Sequence, residues 1–147
     1  FLTDKYEASC YFPFYLFIPT GSAGVHPAGR YSERVQFLQV ASKIVDPDIF
    51  AYAMAYNRFD SVSYIFLPVN SGTKRTELTL YQIHFNAPTS SVTLEFLVDF
   101  SQRSDLFALK HSDGLYEILP PARNANTDII IKEKYPDIAV YLKETGQ

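Results

Sequence analysis

Between Glu77 and Phe100 apolar and polar residues alternate in two successive stretches. That period of two restricts the chain more than any other feature, because a strand sends successive side chains to opposite faces of a sheet. With 86–91 as the connecting loop, Phe85 faces Val92, Ile83 faces Leu94, Tyr81 faces Phe96 and Thr79 faces Val98. This surface is expected to be core. The other face sets His84 beside Thr93, Gln82 beside Glu95, Leu80 beside Leu97 and Leu78 beside Asp99. Polar near the loop and apolar further in, it needs a cover over part of its area.

Residues 32–45 supply that cover as an amphipathic helix, since Phe37, Leu38, Ala41, Ile44 and Val45 fall on one helical stripe. Ser32 stands as its cap, Glu33 and Lys43 complement the helix dipole, and Pro47 ends the segment. Strands are expected at 11–18, where Pro13 confines the segment to a sheet edge, and at 63–69. Across 49–56, Phe50, Tyr52, Met54 and Tyr56 alternate with Ile49 and three alanines, which reads as a strand with a helix as the alternative. Asp113 and Gly114 make a turn tolerant of positive φ, joining 106–111 to 115–119 with Lys110 opposite Glu117, His111 opposite Tyr116 and Leu109 opposite Ile118.

Toward the end of the chain, Ile129, Ile130 and Ile131 favour a strand, and Pro136 forbids an unbroken helix across 128–144. Residues 137–145 read as a short helix, with a final strand as the alternative. The expected architecture is α+β: an antiparallel, meander-like sheet of six or seven strands, one helix at about 32–45 on one face and a short C-terminal helix. A length of 147 residues fits one globular domain over 1–147.

Charge and composition exclude several function classes. Thirteen basic against sixteen acidic side chains give a net charge of -3, which leaves no broad positive field for nucleic acid or an anionic membrane. The longest apolar run, 11–18, is too short for a transmembrane helix. One cysteine, Cys10, excludes an intramolecular disulfide and a multi-thiolate site. A chain starting at Phe1 rather than Met is expected to be processed or trimmed, which points to an extracytoplasmic location, periplasmic or secreted.

No stretch carries a catalytic motif: there is no Gly-x-Ser-x-Gly elbow and no phosphate-binding Gly-Lys-Ser/Thr ending. His26, His84 and His111 fall in separate elements without metal-ligand spacing, so neither metal nor cofactor is expected. The patch of Gln82, His84, Thr93 and Glu95 is the best candidate for acid–base work, because a carboxylate near an imidazole orients it and raises its pKa. Its plain counterpart is a solvent-facing sheet corner. The loop 20–30 offers Gly21, His26 and Arg30 to an anion. Lys74 and Arg75, like Lys132 and Lys134, read as solvated charges of a turn or an edge.

Twelve Phe and eleven Tyr are the remaining signal. Tyr52, Tyr56, Tyr64, Phe66, Tyr81 and Phe96 are candidates to line an aromatic cavity between sheet and helix, though packing is their first duty. The fragments 77–83 and 104–114 are similar to strands of small transthyretin-like envelope lipoproteins of secretion systems, but their spacing and the helical insertion depart from that pattern, and no family is assigned. The functional expectation is a non-catalytic module that binds another protein or itself. The alternative is a carrier of a small apolar ligand in the aromatic cavity.

Overall fold

The computed structural model describes residues 1–4, 17–18, 30–82, 88 and 90–144. In chain order these form β1 (Leu2–Thr3), α1 (Tyr31–Ala41), α2 (Pro47–Tyr56), β2 (Tyr64–Phe66), β3 (Thr76–Gln82), β4 (Ser90–Phe96), a 3-10 turn (Phe100–Gln102), β5 (Phe107–His111), β6 (Leu115–Ile118), α3 (Ala125–Lys134) and α4 (Pro136–Ala139). The α+β class stands. The single meander does not, because the strands divide into a four-stranded sheet in the order β1-β2-β6-β5 and a separate β3–β4 hairpin. β1 runs parallel to β2, and the other pairs are antiparallel. The division falls just after β2, where Pro68 has no N–H with which to extend a ladder and Asn70 folds the chain back. The expected strand at 11–18 lies, apart from Phe17 and Ile18, outside the described residues.

The segment at 49–56 is helix, not strand. Asp46 Oδ1 accepts from the backbone N–H groups of Asp48 (2.9 Å) and Ile49 (3.4 Å), and Pro47 occupies the first turn, where its missing donor costs nothing. Pro47 therefore opens α2 as well as following α1. Every residue from Ile49 to Ala55 is buried, so the aromatic and alanine sides both face protein. The helix at 32–45 is present but shorter, ending at Ala41. Its N-cap is Arg30 rather than Ser32, in the left-handed region at φ 52. Beyond Ala41, bonds from Lys43 N–H to Val40 and from Ile44 N–H to Ala41 tighten the last turn, and Val45 swings out to 68% exposure.

The isoleucine run 129–131 is also helical. The Asn124 side chain caps α3 by accepting from Thr127 N–H at 2.8 Å, Asp128 sits in the first turn, and Lys132 and Lys134 sit in the last. The short terminal helix spans only Pro136–Ala139, and Leu142 instead bridges antiparallel to Asn57. Residue 145 lies outside the described residues.

The core is continuous through α2. Phe50 places its ring 5.8 Å from Phe96 of β4, 5.6 Å from Phe100 and 6.0 Å from Phe107 of β5, so one side chain joins both sheets. Leu78, Leu80, Leu94 and Phe96 form the buried face of the hairpin. At the β5–β6 turn, Gly114 takes φ 95 as expected, but the ladder runs two residues from the expected register, with Leu109 opposite Tyr116 and a bulge before His111. A shift of two keeps each side chain on its face. Lys110 and Glu117 consequently still meet at 2.7 Å.

Candidate functional site

The β3–β4 register rearranges the polar patch expected on that hairpin. Thr79 pairs with Thr93, Glu77 with Glu95, Tyr81 with Ser91 and Gln82 with Ser90. This differs from the expected pairing by an odd number of residues, so the backbone no longer sets Tyr81 opposite Phe96 or Gln82 opposite Glu95. Thr93 instead shares a 3.1 Å hydroxyl contact with Thr79, and Glu95 lies 3.7 Å from Arg75. His84 lies outside the described residues, as do Gly21 and His26 of the loop and Cys10. Arg30 is the residue of that group whose place is described, at the start of α1.

Of the six aromatic candidates, Tyr52 and Tyr56 come together on α2 with ring centroids 4.7 Å apart. Their hydroxyls donate to Asp128 Oδ1 (2.6 Å) and to the Pro121 carbonyl (3.0 Å). The Arg123 guanidinium lies 5.8 Å over the Tyr56 ring. Tyr64 and Phe66 lie half-buried on β2, Tyr64 with its ring 6.3 Å from Phe1. Phe96 belongs to the Phe50 cluster on the other side of α2, and it reaches a feature the sequence did not single out.

That feature is an open cleft of about 400 Å³ between the hairpin and the four-stranded sheet. Ile65, Leu67, Phe96, Val98, Phe100 and Tyr116 supply its apolar lining, with Leu97 and Val69 at the side. Its outline follows from four contacts in sequence. Val69 bridges to Thr76, Thr76 pairs with Phe96, Phe100 meets Tyr116 with ring centroids 5.8 Å apart, and Tyr116 pairs with Ile65 of β2. These contacts join the segments whose side chains line the cleft.

The polar lining is of both signs. Lys74 and Arg75 stand just before β3, and Asp99, Ser101, Ser112 and Asp113 stand on the segments beyond β4 and β5. Asn70 fixes the basic side: its Oδ1 accepts from the N–H groups of Gly72 (2.8 Å) and Thr73 (3.0 Å), its Nδ2 donates to Glu77 (2.9 Å), and its carbonyl accepts from Lys74 N–H (2.8 Å). Lys74 is held at φ 60, a conformation glycine adopts far more readily. On the acidic side, Asp99 Oδ1 accepts from the Ser101 hydroxyl (2.6 Å) and N–H (2.9 Å). The Ser101 hydroxyl, more than any other partner, holds the Asp99 carboxyl below the usual carboxylate range.

Beside this polar lining His111 Nδ1 lies 3.3 Å from the Asp113 carboxylate. Among the described residues, three or more His, Cys, Asp or Glu side chains nowhere gather where they could hold a metal ion. No described helix is long and apolar enough to cross a membrane. The local signals for the cleft were only the Lys74–Arg75 pair and the Asp113–Gly114 turn, because its lining comes from segments far apart in sequence. Comparison of the chain with protein-family models and with curated proteins finds no match.

Proposed function

We propose that this chain is a non-catalytic protein-binding or assembly module, and that this cleft is its binding surface. The observation that carries the reading is an open cleft that has the exposed Val69 and Leu97 at its side and charges of both signs in its lining, the pattern of a recognition site. The region between α2 and the hairpin supports the same choice over a carrier. A small apolar ligand there would have to displace Phe50, Phe96 and Phe100, whose rings already meet one another. Strand addition at β5, which among the described residues is an edge strand, is the weaker binding mode, because a bulge and the charged Lys110 blunt that edge.

The test is affinity selection of a random peptide pool on the immobilised chain and on a Leu97→Glu variant, which places a charge on the cleft wall. Peptides retained by the native chain and lost from the variant support the reading. Equal retention by both, or none by either, ends it.

A further inference from the structure

We propose that His111 is a pH-responsive latch of the β5–β6 turn: its Nδ1 serves the Asp113 backbone when neutral and the Asp113 carboxylate when protonated, and so sets the charge this turn presents to the cleft. The geometry is that of one atom with two partners. His111 Nδ1 accepts the Asp113 backbone N–H at 3.2 Å and lies 3.3 Å from Asp113 Oδ2. The two contacts exclude each other. An unprotonated Nδ1 has a lone pair for the N–H and no hydrogen for the carboxylate, whereas a protonated Nδ1 has the hydrogen and no lone pair.

The turn stays closed in either state. Gly114 N–H donates to the His111 carbonyl at 3.0 Å, and Gly114 takes φ 95, so the backbone closes the turn without the imidazole. At the first position of such a turn Asp or Asn commonly accepts the N–H two residues on. An imidazole takes that place here, and histidine differs from an amide in changing charge between about pH 5 and 8. Losing its bond frees one amide and opens nothing else. Among the described residues the ladder sets Leu115 of β6 opposite His111, and Phe66 of β2 opposite Leu115, so neither strand brings a charge to it there. Lys110, the preceding residue, is engaged by Glu117 at 2.7 Å. Asp113 shares the cleft lining with Lys74, Arg75 and Asp99, two acidic side chains against two basic ones. A proton on His111 compensates Asp113 and tips that balance to positive. Both members of the pair are more than half exposed, so protonation changes the charge and not the fold.

The test uses the folded chain, labelled with a nitrogen isotope for magnetic resonance. At pH 8 a scalar coupling across the hydrogen bond should link the Asp113 amide nitrogen to His111 Nδ1, and Nδ1 should show the shift of an unprotonated nitrogen. By pH 5 the coupling should vanish and the Asp113 amide should move far more than that of Gly114. His111→Asn, whose side-chain oxygen accepts the same N–H at either pH, should hold the Asp113 amide still over this range. A proton on Nδ1 at pH 8, or an Asp113 amide that responds to pH equally in His111→Asn and the native chain, overturns the latch. Its effect on the cleft rests on the binding reading above and is read from the random peptide pool. Peptides retained at pH 5.5 should carry about twofold more Asp and Glu than those retained at pH 7.5, the size of a weak exposed charge interaction, and His111→Asn should abolish the difference. An equal enrichment in the variant, or none in the native chain, overturns control of the cleft by His111. Retention of no peptide at either pH ends the binding reading, while the resonances alone decide the latch.

Discussion

The Tyr52 hydroxyl donates a 2.6 Å hydrogen bond to Asp128 Oδ1, 76 residues further along the chain, and so ties α2 to the first turn of α3. Both residues are buried, and the other Asp128 oxygen lies 3.5 Å from Arg123. Burial first, and then the bond to Asp128, push the Tyr52 hydroxyl up to about 12. The folded protein thus holds this proton to a higher pH than the unfolded chain, whose tyrosine titrates near 10. The contribution is complete below pH 10 and fades as pH rises toward 12, by up to about 2–3 kcal/mol. Tyr52→Phe should cost about 1–3 kcal/mol at neutral pH, because it leaves a buried carboxylate short of a donor. Urea unfolding at pH 7 and across pH 9–12 checks both: the variant starts lower and loses less on the alkaline side.

Phe50 is the residue on which both sheets converge. Its ring meets Phe96 of the hairpin, Phe100 of the 3-10 turn and Phe107 of β5, and it is fully buried. Phe50→Ala should therefore cost about 3–5 kcal/mol through lost burial and the cavity left behind. Thermal unfolding gives the magnitude. Amide shifts spread over β4 and β5 together would show that the ring couples the two sheets, and shifts confined to α2 would contradict it.

The positions that misled the sequence reading share a physical cause: two periods fitted the same residues. In 49–56 the aromatics alternate with alanines as a strand would, yet each alanine favours a helix, and the Asp46–Pro47 start was the signal that decided it. In the sequence 77–83 both phases are apolar, Leu78 and Leu80 in one and Tyr81 and Ile83 in the other, so alternation alone does not choose a face. β4 has one apolar phase, and there Leu94 and Phe96 lie buried as the pattern requires. At β5–β6 the opposite charges of Lys110 and Glu117 survived a two-residue slip because such a slip preserves faces. The cleft left no comparable trace. Lys74, Phe96, Asp99 and Asp113 belong to separate segments, and only the folded chain brings them around one space.

Lys74 adopts φ 60, where a side chain costs about 1–2 kcal/mol relative to right-handed backbone. Glycine avoids that cost but gives back about 0.5–1 kcal/mol in the unfolded chain. Lys74→Gly should accordingly be more stable than the native chain by about 0.5–1 kcal/mol, whereas Lys74→Ala, which keeps the strain, should be close to neutral. Denaturant midpoints of the three proteins decide the matter. Destabilisation by the glycine would mean that the lysine side chain, rather than the Asn70 turn, holds this loop.

Thr79 and Thr93 face each other across the hairpin with their hydroxyl oxygens 3.1 Å apart, which places their β-carbons within reach of a disulfide. In a Cys10→Ser background, Thr79→Cys with Thr93→Cys should oxidise to a cross-linked monomer. The link closes a loop of about 15 residues, for which chain entropy gives ~3 kcal/mol of stabilisation. Thr79→Cys with Val98→Cys is the contrasting pair. It satisfies the register read from sequence alternation, but Val98 lies beyond the end of β4 and is buried. Thiol counts and intact mass under mild oxidation separate the two registers. Cross-linking through residue 98 in place of residue 93 would return Tyr81 to the position opposite Phe96. It would also remove the Thr76–Phe96 pairing, both of whose residues line the cleft.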